Sequence, residues 1–145
     1  MKVLIQRSLA ASVSVDQNIV GQIERGLVLL VGIEKHDTRD SLERMADKVV
    51  AYRVFTDDQG KMNLNIQQVN GAILAVSQFT LAASTNKGLR PSFSSAAPPA
   101  NALTQFNQFV SFLKARIAHV ETGEFGANMQ VKLINDGPVT FLLEN

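Results

Sequence analysis

The sequence predicts an α+β fold: one domain spanning residues 1–145, with a curled sheet, mixed or antiparallel, and two helices packed against it. Three observations predict it. Segments read in the order strands, helix, strand, helix, strands. Only two segments carry apolar residues at helical spacing. No strand is followed by GxGxxG or by GxxxxGK[ST], so the doubly wound nucleotide-binding pattern is absent. At 145 residues, 46% hydrophobic and 19% charged, the chain has the length and apolar content to bury one core.

The elements follow in order. Lys2–Gln6 and Ala11–Val15 read as short strands, and Asp16-Gln17-Asn18 is turn material. Ile19–Glu24 alternates apolar and polar residues, the period of a half-buried strand. Gly26–Ile33 is a continuous apolar run, expected of a strand covered on both faces. Leu42, Met45, Ala46, Val49, Val50 and Arg53 repeat at helical spacing, with Asp37 as expected N-cap and Asp40 three residues on. Asp57–Gly60 reads as a turn and Ala72–Val76 as a second buried strand. Gly88–Ala100 holds three of the four prolines and reads as an ordered loop, with Pro99 suited to a first helical turn. Leu103, Phe106, Val110, Leu113 and Ile117 line one face of the second helix. Met129–Ile134 and Phe141–Leu143 read as strands flanking Asn135-Asp136-Gly137-Pro138-Val139-Thr140. The proline there is unexpected, because it cannot donate to a ladder.

Composition excludes several chemistries. Without cysteine there is no disulfide, thiolate nucleophile or cysteine-ligated zinc. No HxH or HExxH spacing marks a metal site, and no cofactor is expected. A net charge of +1 gives no global field for nucleic acid, so any RNA contact has to be local. Arg7 interrupts the early apolar run, which argues against a signal peptide, and no run approaches the ~20 residues of a membrane span. A cytoplasmic setting is the expectation.

Among side chains, His36 opens the first helix and His119 closes the second, where a histidine ordinarily meets helix carbonyls. A Ser-His-Asp triad built on His36, acting as a general esterase, lacks the GxSxG elbow. Ser77, Gln78 and Thr80 cluster where a buried strand ends. Two hydroxyls, an amide and free backbone N–H groups of Ser77 and Gln78 would suit an ester carbonyl or its oxyanion. On residue types alone, a strand ending in a hydrogen-bonded turn is the favoured explanation. Gly123–Met129 fits a pliable pocket wall, or more commonly a hairpin. Lys87–Phe93 combines two cations and an aromatic ring, suited to phosphate and base contacts or to a solvated loop.

Taken together, SQFTL at 77–81, KGLRPSF at 87–93, AAPP at 96–99, ETGEFGANM at 121–129 and NDGPVT at 135–140 resemble the D-aminoacyl-tRNA deacylase (D-tyrosyl-tRNA deacylase) family, nearly end to end. IQRSLAASV and GKMNLN fit as well, while Ala82–Asn86 departs somewhat from the pattern. The resemblance implies hydrolysis of the ester between a D-amino acid and the tRNA 3′-terminal adenosine, by a cytoplasmic homodimer with its active site at the interface. It implies that Gly137 and Pro138, joined by a cis bond, form a chiral selector contributed to the partner's site. Ser77, Gln78, Phe79 and Thr80 would line the adenosine and carbonyl side and carry the catalysis. Phe125 and Met129 would enclose the nucleoside, and Arg7 would brace the Gly-Pro segment.

Gly137 has no Cβ, so bare backbone would form the selector's wall. Such a wall excludes a side chain on the L face whatever its identity, and should also admit glycine from glycyl-tRNA. Thr80 as nucleophile lacks an evident base. Assistance from the tRNA 2′-hydroxyl, with the protein supplying position and N–H donors, is the preferred route. The main alternative is a non-catalytic module that binds a tRNA 3′ end or a nucleotide.

Overall fold

The computed structural model describes residues 1–86 and 88–145. Lys87, one of the two cations in the loop singled out above, lies outside the described residues. The elements are β1 (Lys2–Val15), β2 (Asn18–Ile23), β3 (Gly26–Gly32), α1 (Arg39–Ala51), β4 (Phe55–Thr56), β5 (Met62–Leu64), β6 (Ala72–Ser77), α2 (Pro99–Lys114), β7 (Val120–Thr122) and β8 (Gln130–Glu144). A short 3-10 turn, Phe79–Ala82, follows β6. The α+β expectation, a curled mixed sheet with two helices, is borne out. The small β4–β5 sheet beside it was not foreseen.

β1 is one strand where two were expected. Arg7 and Ser8 break the apolar pattern, yet both are buried because their polar atoms are satisfied internally. Arg7 donates to the Val54 carbonyl, and the Ser8 hydroxyl to the Ala10 carbonyl. Along one edge of β1 run β3, paired with Lys2–Ser8, and β2, paired with Ala11–Val15, both antiparallel. Along the other edge runs β8, also antiparallel. β6 pairs parallel with β3, and β7 parallel with β6. The sheet curls far enough that a Cβ on Gly21 of β2 would stand 2.5 Å from the Thr122 carbonyl oxygen of β7.

The curl divides the core in two. Val3, Ile5, Leu27, Leu29, Val31 and Ile73 face the helices, where Phe109 and Leu113 of α2 and Leu42, Met45 and Val49 of α1 meet them. Val28, Leu74 and Val76 point to the opposite side and are covered by Ala11, Val13 and Ile23 as the strands wrap over. β3 and β6 are therefore buried on both faces, as their apolar runs predict. Each fully buried aliphatic side chain contributes about 1.5–3 kcal/mol.

Thr38, not Asp37, caps α1. Its hydroxyl accepts from the Ser41 N–H at 3.2 Å, while the Ser41 hydroxyl accepts from the Thr38 N–H at 3.0 Å. Asp37 is occupied elsewhere: its carboxylate accepts from the α-amino group of Met1 at 2.6 Å and from the Glu34 N–H at 2.7 Å. In α2, Pro99 stands at the first helical position as expected. The buried stripe is Ala102, Phe106, Phe109, Val110 and Leu113, so Leu103 turns out to be exposed. Phe109, not recognised in the sequence pattern, is a fully buried anchor of this stripe. Arg116 joins the helices, donating to Asp47 at 2.6 Å.

Candidate active site

β6 delivers the Ser77–Thr80 segment to the surface. Its apolar residues are locked between β3 and β7, so the point where the strand stops is fixed. Gln78 has left the strand, but its N–H still donates to the Val31 carbonyl at 2.7 Å. That amide is thus committed to the ladder, which corrects the expectation of a free Gln78 N–H. The next two are different. Among the described residues, the N–H groups of Phe79 and Thr80, first in the 3-10 turn, donate to no protein acceptor. The Gln78 side-chain amide donates to the Thr80 hydroxyl oxygen.

Beside this segment lies an apolar cleft of about 780 Å³. Ser77, Gln78 and Phe79 form one wall, and Phe125 and Met129 another, so five of the predicted site residues converge here. Phe125 is steadied by Phe106 of α2, with ring centroids 6.2 Å apart. Met129 lies over Gly123, where a Cβ would come within 2.6 Å of its sulfur. Residues 123–129 are not a hairpin: β7 pairs with β6, and a turn closed by Ala127 N–H to the Glu124 carbonyl precedes β8. The rest of the cleft includes Lys35 and Ala96–Pro99, to which sequence reasoning gave no role. Lys35 N–H donates to the Ser95 carbonyl at 3.0 Å and Ala97 N–H to the Ile33 carbonyl at 3.1 Å. Pairing across some sixty residues leaves no local pattern, although AAPP at 96–99 marked the spot.

Among the described residues, no histidine, aspartate or glutamate lines the cleft, and Lys35 is its one ionisable side chain. His36 is exposed and stands outside the lining, which leaves a His36 triad without a site. His119 lies past the end of α2 and pairs with Glu121 at 3.3 Å instead of capping the helix.

Thr80, Arg7, Gly137 and Pro138 do not line this cleft. Thr80 is exposed next to it. The other three form a separate assembly, Gly137 and Pro138 on β8 and Arg7 on β1. Gln6 and Ser8 are two residues apart on β1, whereas their partners, Thr140 and Asn135, are five apart on β8. The surplus residues leave the ladder, which resolves the placing of a proline inside a long strand. The side chain of Asn135 closes the base of this projection, accepting from the Val139 N–H at 3.0 Å and donating to the Thr140 hydroxyl at 2.9 Å. The Gly137–Pro138 peptide is cis, both residues are exposed, and Gly137 has φ +129°.

Arg7 reaches the projection from beneath. Its Nε donates to the Asp136 carbonyl at 3.1 Å and pairs with the Asp136 carboxylate at 3.0 Å. Asn135, Asp136 and Thr140 shape this projection, and the sequence flagged them only as parts of a motif.

The model of the family described as D-Tyr-tRNA(Tyr) deacylase matches residues 4–144. This chain belongs to the D-Tyr-tRNA(Tyr) deacylase family. The D-aminoacyl-tRNA deacylase of Saccharophagus degradans is 62% identical over 143 residues, covering 99% of each chain. That of Teredinibacter turnerae is 59% identical over 145 residues, covering all of both chains. A solved structure described as c-Myc DNA Unwinding Element Binding Protein superposes with a TM-score of 0.95 at 40% identity, over 100% of this chain and 99% of that one. A second, of a probable eukaryotic D-amino acid tRNA deacylase, superposes at 0.84 with 16% identity over 98% and 97%, a likeness of fold. The resemblance drawn from SQFTL through NDGPVT is borne out, and the chain is a deacylase-family hydrolase with the cleft at the end of β6 as its candidate site.

Proposed function

We propose that this D-aminoacyl-tRNA deacylase holds the 3′-terminal adenosine and its ester in the cleft at the end of β6. The RNA's own 2′-hydroxyl assists hydrolysis, and Gly137–Pro138 of a second copy rejects L-amino acids. The observation that carries this reading is the chemistry of the cleft: apolar walls, amide and hydroxyl groups, and neither carboxylate nor imidazole among the described lining residues. Such a site offers neither a carboxylate nor an imidazole, among the described lining residues, to act as general base. It can position the ester and stabilise the charge that develops on its carbonyl oxygen. The unpaired N–H groups of Phe79 and Thr80 are the donors suited to that oxygen. Attack by water, eased by the neighbouring 2′-hydroxyl, breaks the bond between the acyl carbon and the ribose 3′ oxygen. That oxygen takes up the proton as the D-amino acid leaves. Phe125 and Met129 supply an aromatic and a polarisable surface for the nucleoside.

Cross-subunit selection is supported by distance. Val131 of β8 lines the cleft. Four regular strand steps from Val131 to Asn135 cover about 13 Å, and Gly137 lies beyond them on the strand. The selector of one copy is therefore offset from that copy's own cleft, which favours a second copy bringing the two together. Exposed Leu9, Ile134 and Leu142 provide apolar surface for such a homodimer. A wall of bare backbone at Gly137 is indifferent to side-chain identity, so glycyl esters should be accepted with D-aminoacyl esters. Charged tRNA as substrate places the work in the cytoplasm.

Incubation with D-Tyr-tRNA and L-Tyr-tRNA tests the reading. Release of free D-tyrosine with L-Tyr-tRNA left intact is the expected result. Tight binding of either without release would turn the protein into a tRNA-end binding module.

A further inference from the structure

The mouth of the cleft carries an aromatic pair that hydrolysis of the terminal ester does not itself require. Phe79 comes from the turn after β6, and Phe93 from the arm that returns toward α2. Their ring centroids are 5.1 Å apart, with planes inclined at 49°. Phe79 is 60% exposed and Phe93 41%. The arm is held in place: Ser84 and Ser92 exchange backbone N–H bonds of 2.8 and 2.9 Å, and the Ser95 hydroxyl donates to the Ala82 carbonyl. Arg90, three residues before Phe93, is exposed, as is Lys35 on the cleft wall. Neither is ion-paired among the described residues.

We propose that the Phe79–Phe93 pair is a stacking platform for the base of the nucleotide that precedes the terminal adenosine, with Arg90 and Lys35 meeting the phosphates beside it. The inference rests on reading the cleft as the seat of an aminoacyl-tRNA end, and adds a second subsite to it. Unpaired RNA bases are recognised by stacking on exposed aromatic rings while cations follow the backbone. Phe79, Phe93 and Lys35 line the cleft, and Arg90 is exposed on the arm that carries Phe93. Stacking reads the π-face of a base and not its edge, so the subsite should improve binding of the RNA end with little preference for sequence.

The test compares two esters, D-tyrosyl-adenosine and the D-tyrosyl ester of the trinucleotide CCA, in the wild type, Phe93→Ala and Phe93→Tyr. Binding of uncharged CCA and of adenosine is measured in parallel. Wild type should favour the trinucleotide ester in kcat/KM. Phe93→Ala should shrink that preference roughly 5- to 100-fold, and Phe93→Tyr should restore most of it. Affinity for uncharged CCA should fall by a similar factor, and Arg90→Gln should reduce the salt dependence of CCA binding. A preference that survives Phe93→Ala, or an equal loss on both esters, overturns the platform. So does a wild type that cleaves both esters equally well, an outcome that leaves the catalytic reading intact. If neither ester is cleaved while CCA still outbinds adenosine through Phe93, the catalytic reading fails and the platform stands.

Discussion

Arg7 and Asp136 are joined twice. The Arg7 Nε meets the Asp136 backbone carbonyl at 3.1 Å and its carboxylate at 3.0 Å, while Nη1 of the same guanidinium donates to the Val54 carbonyl at 2.7 Å. One planar group thus fastens the projecting segment of β8 to the residue ahead of β4. Lysine offers a single point charge and cannot reproduce the fork. Arg7→Lys should fold but lose much of the hold on Asp136. Arg7→Ala should cost about 2–3 kcal/mol, since charged hydrogen bonds at a site only 9% exposed are lost together. Thermal unfolding measures that loss, and deacylation by Arg7→Lys measures the positioning. Full activity of Arg7→Lys with D-aminoacyl-tRNA would show that the segment keeps its place without the fork.

Gly137 is next to this clamp, and a side chain there would be both strained and crowded. Its φ of +129° lies where L-residues are strained, and a Cβ would stand 2.7 Å from Val139 Cγ2 and 3.3 Å from an Arg7 nitrogen. Gly137→Ala should destabilise the protein by about 1–3 kcal/mol. If Gly137 forms the proposed selector wall, it should also depress kcat/KM for D-Tyr-tRNA and glycyl-tRNA alike, because that wall would shift for both. Normal turnover of both would separate this backbone from selection.

The legible parts of this chain were those with short-range causes. Apolar runs gave β3 and β6, helical spacing gave α1 and α2, and turn residues gave the Asp57–Gly60 bend. What escaped depends on partners far away in the chain. Arg7 and Ser8 split β1 on paper because a buried guanidinium looks polar until Val54 and Asp136 are seen around it. Asp37 resembles an N-cap until Met1 claims its carboxylate. At the site, Ser77, Gln78, Phe79, Phe125 and Met129 were named from motifs and do converge. No pattern revealed that Gln78 N–H remains in the ladder, or that Gly137 sits on a different part of the molecule from the cleft.

Thr80 has the exposure of a reactive group and none of its support. Its hydroxyl oxygen accepts the Gln78 amide, and no histidine or carboxylate lines the adjoining cleft among the described residues. Thr80→Ala should therefore retain substantial deacylation, losing less than about tenfold, while keeping its backbone N–H. Mass spectrometry of the wild type during turnover should show no acyl adduct. Abolished activity in Thr80→Ala, together with a trapped acyl-threonine on the wild type, would replace RNA assistance by covalent catalysis.

The edge strand β8 sets the last prediction. Among the described residues its outer side is unpaired in one chain, and Ile134 and Leu142 are 56% and 50% exposed along it. An edge of this length with apolar residues is a liability in a monomer and a natural seam between copies. Ile134→Glu and Leu142→Glu replace exposed side chains, so each should change monomer stability by no more than about 0.5 kcal/mol. In a dimer built on this edge they would bury charge against apolar surface, twice over because a two-fold seam repeats each contact. Sedimentation should find a dimer for the wild type and a monomer for the double variant. The monomer keeps its cleft and its own Gly137, but the two remain apart, so deacylation of D-Tyr-tRNA should collapse while affinity for adenosine survives. A double variant that is monomeric and fully active would show that one chain brings its selector to its own cleft.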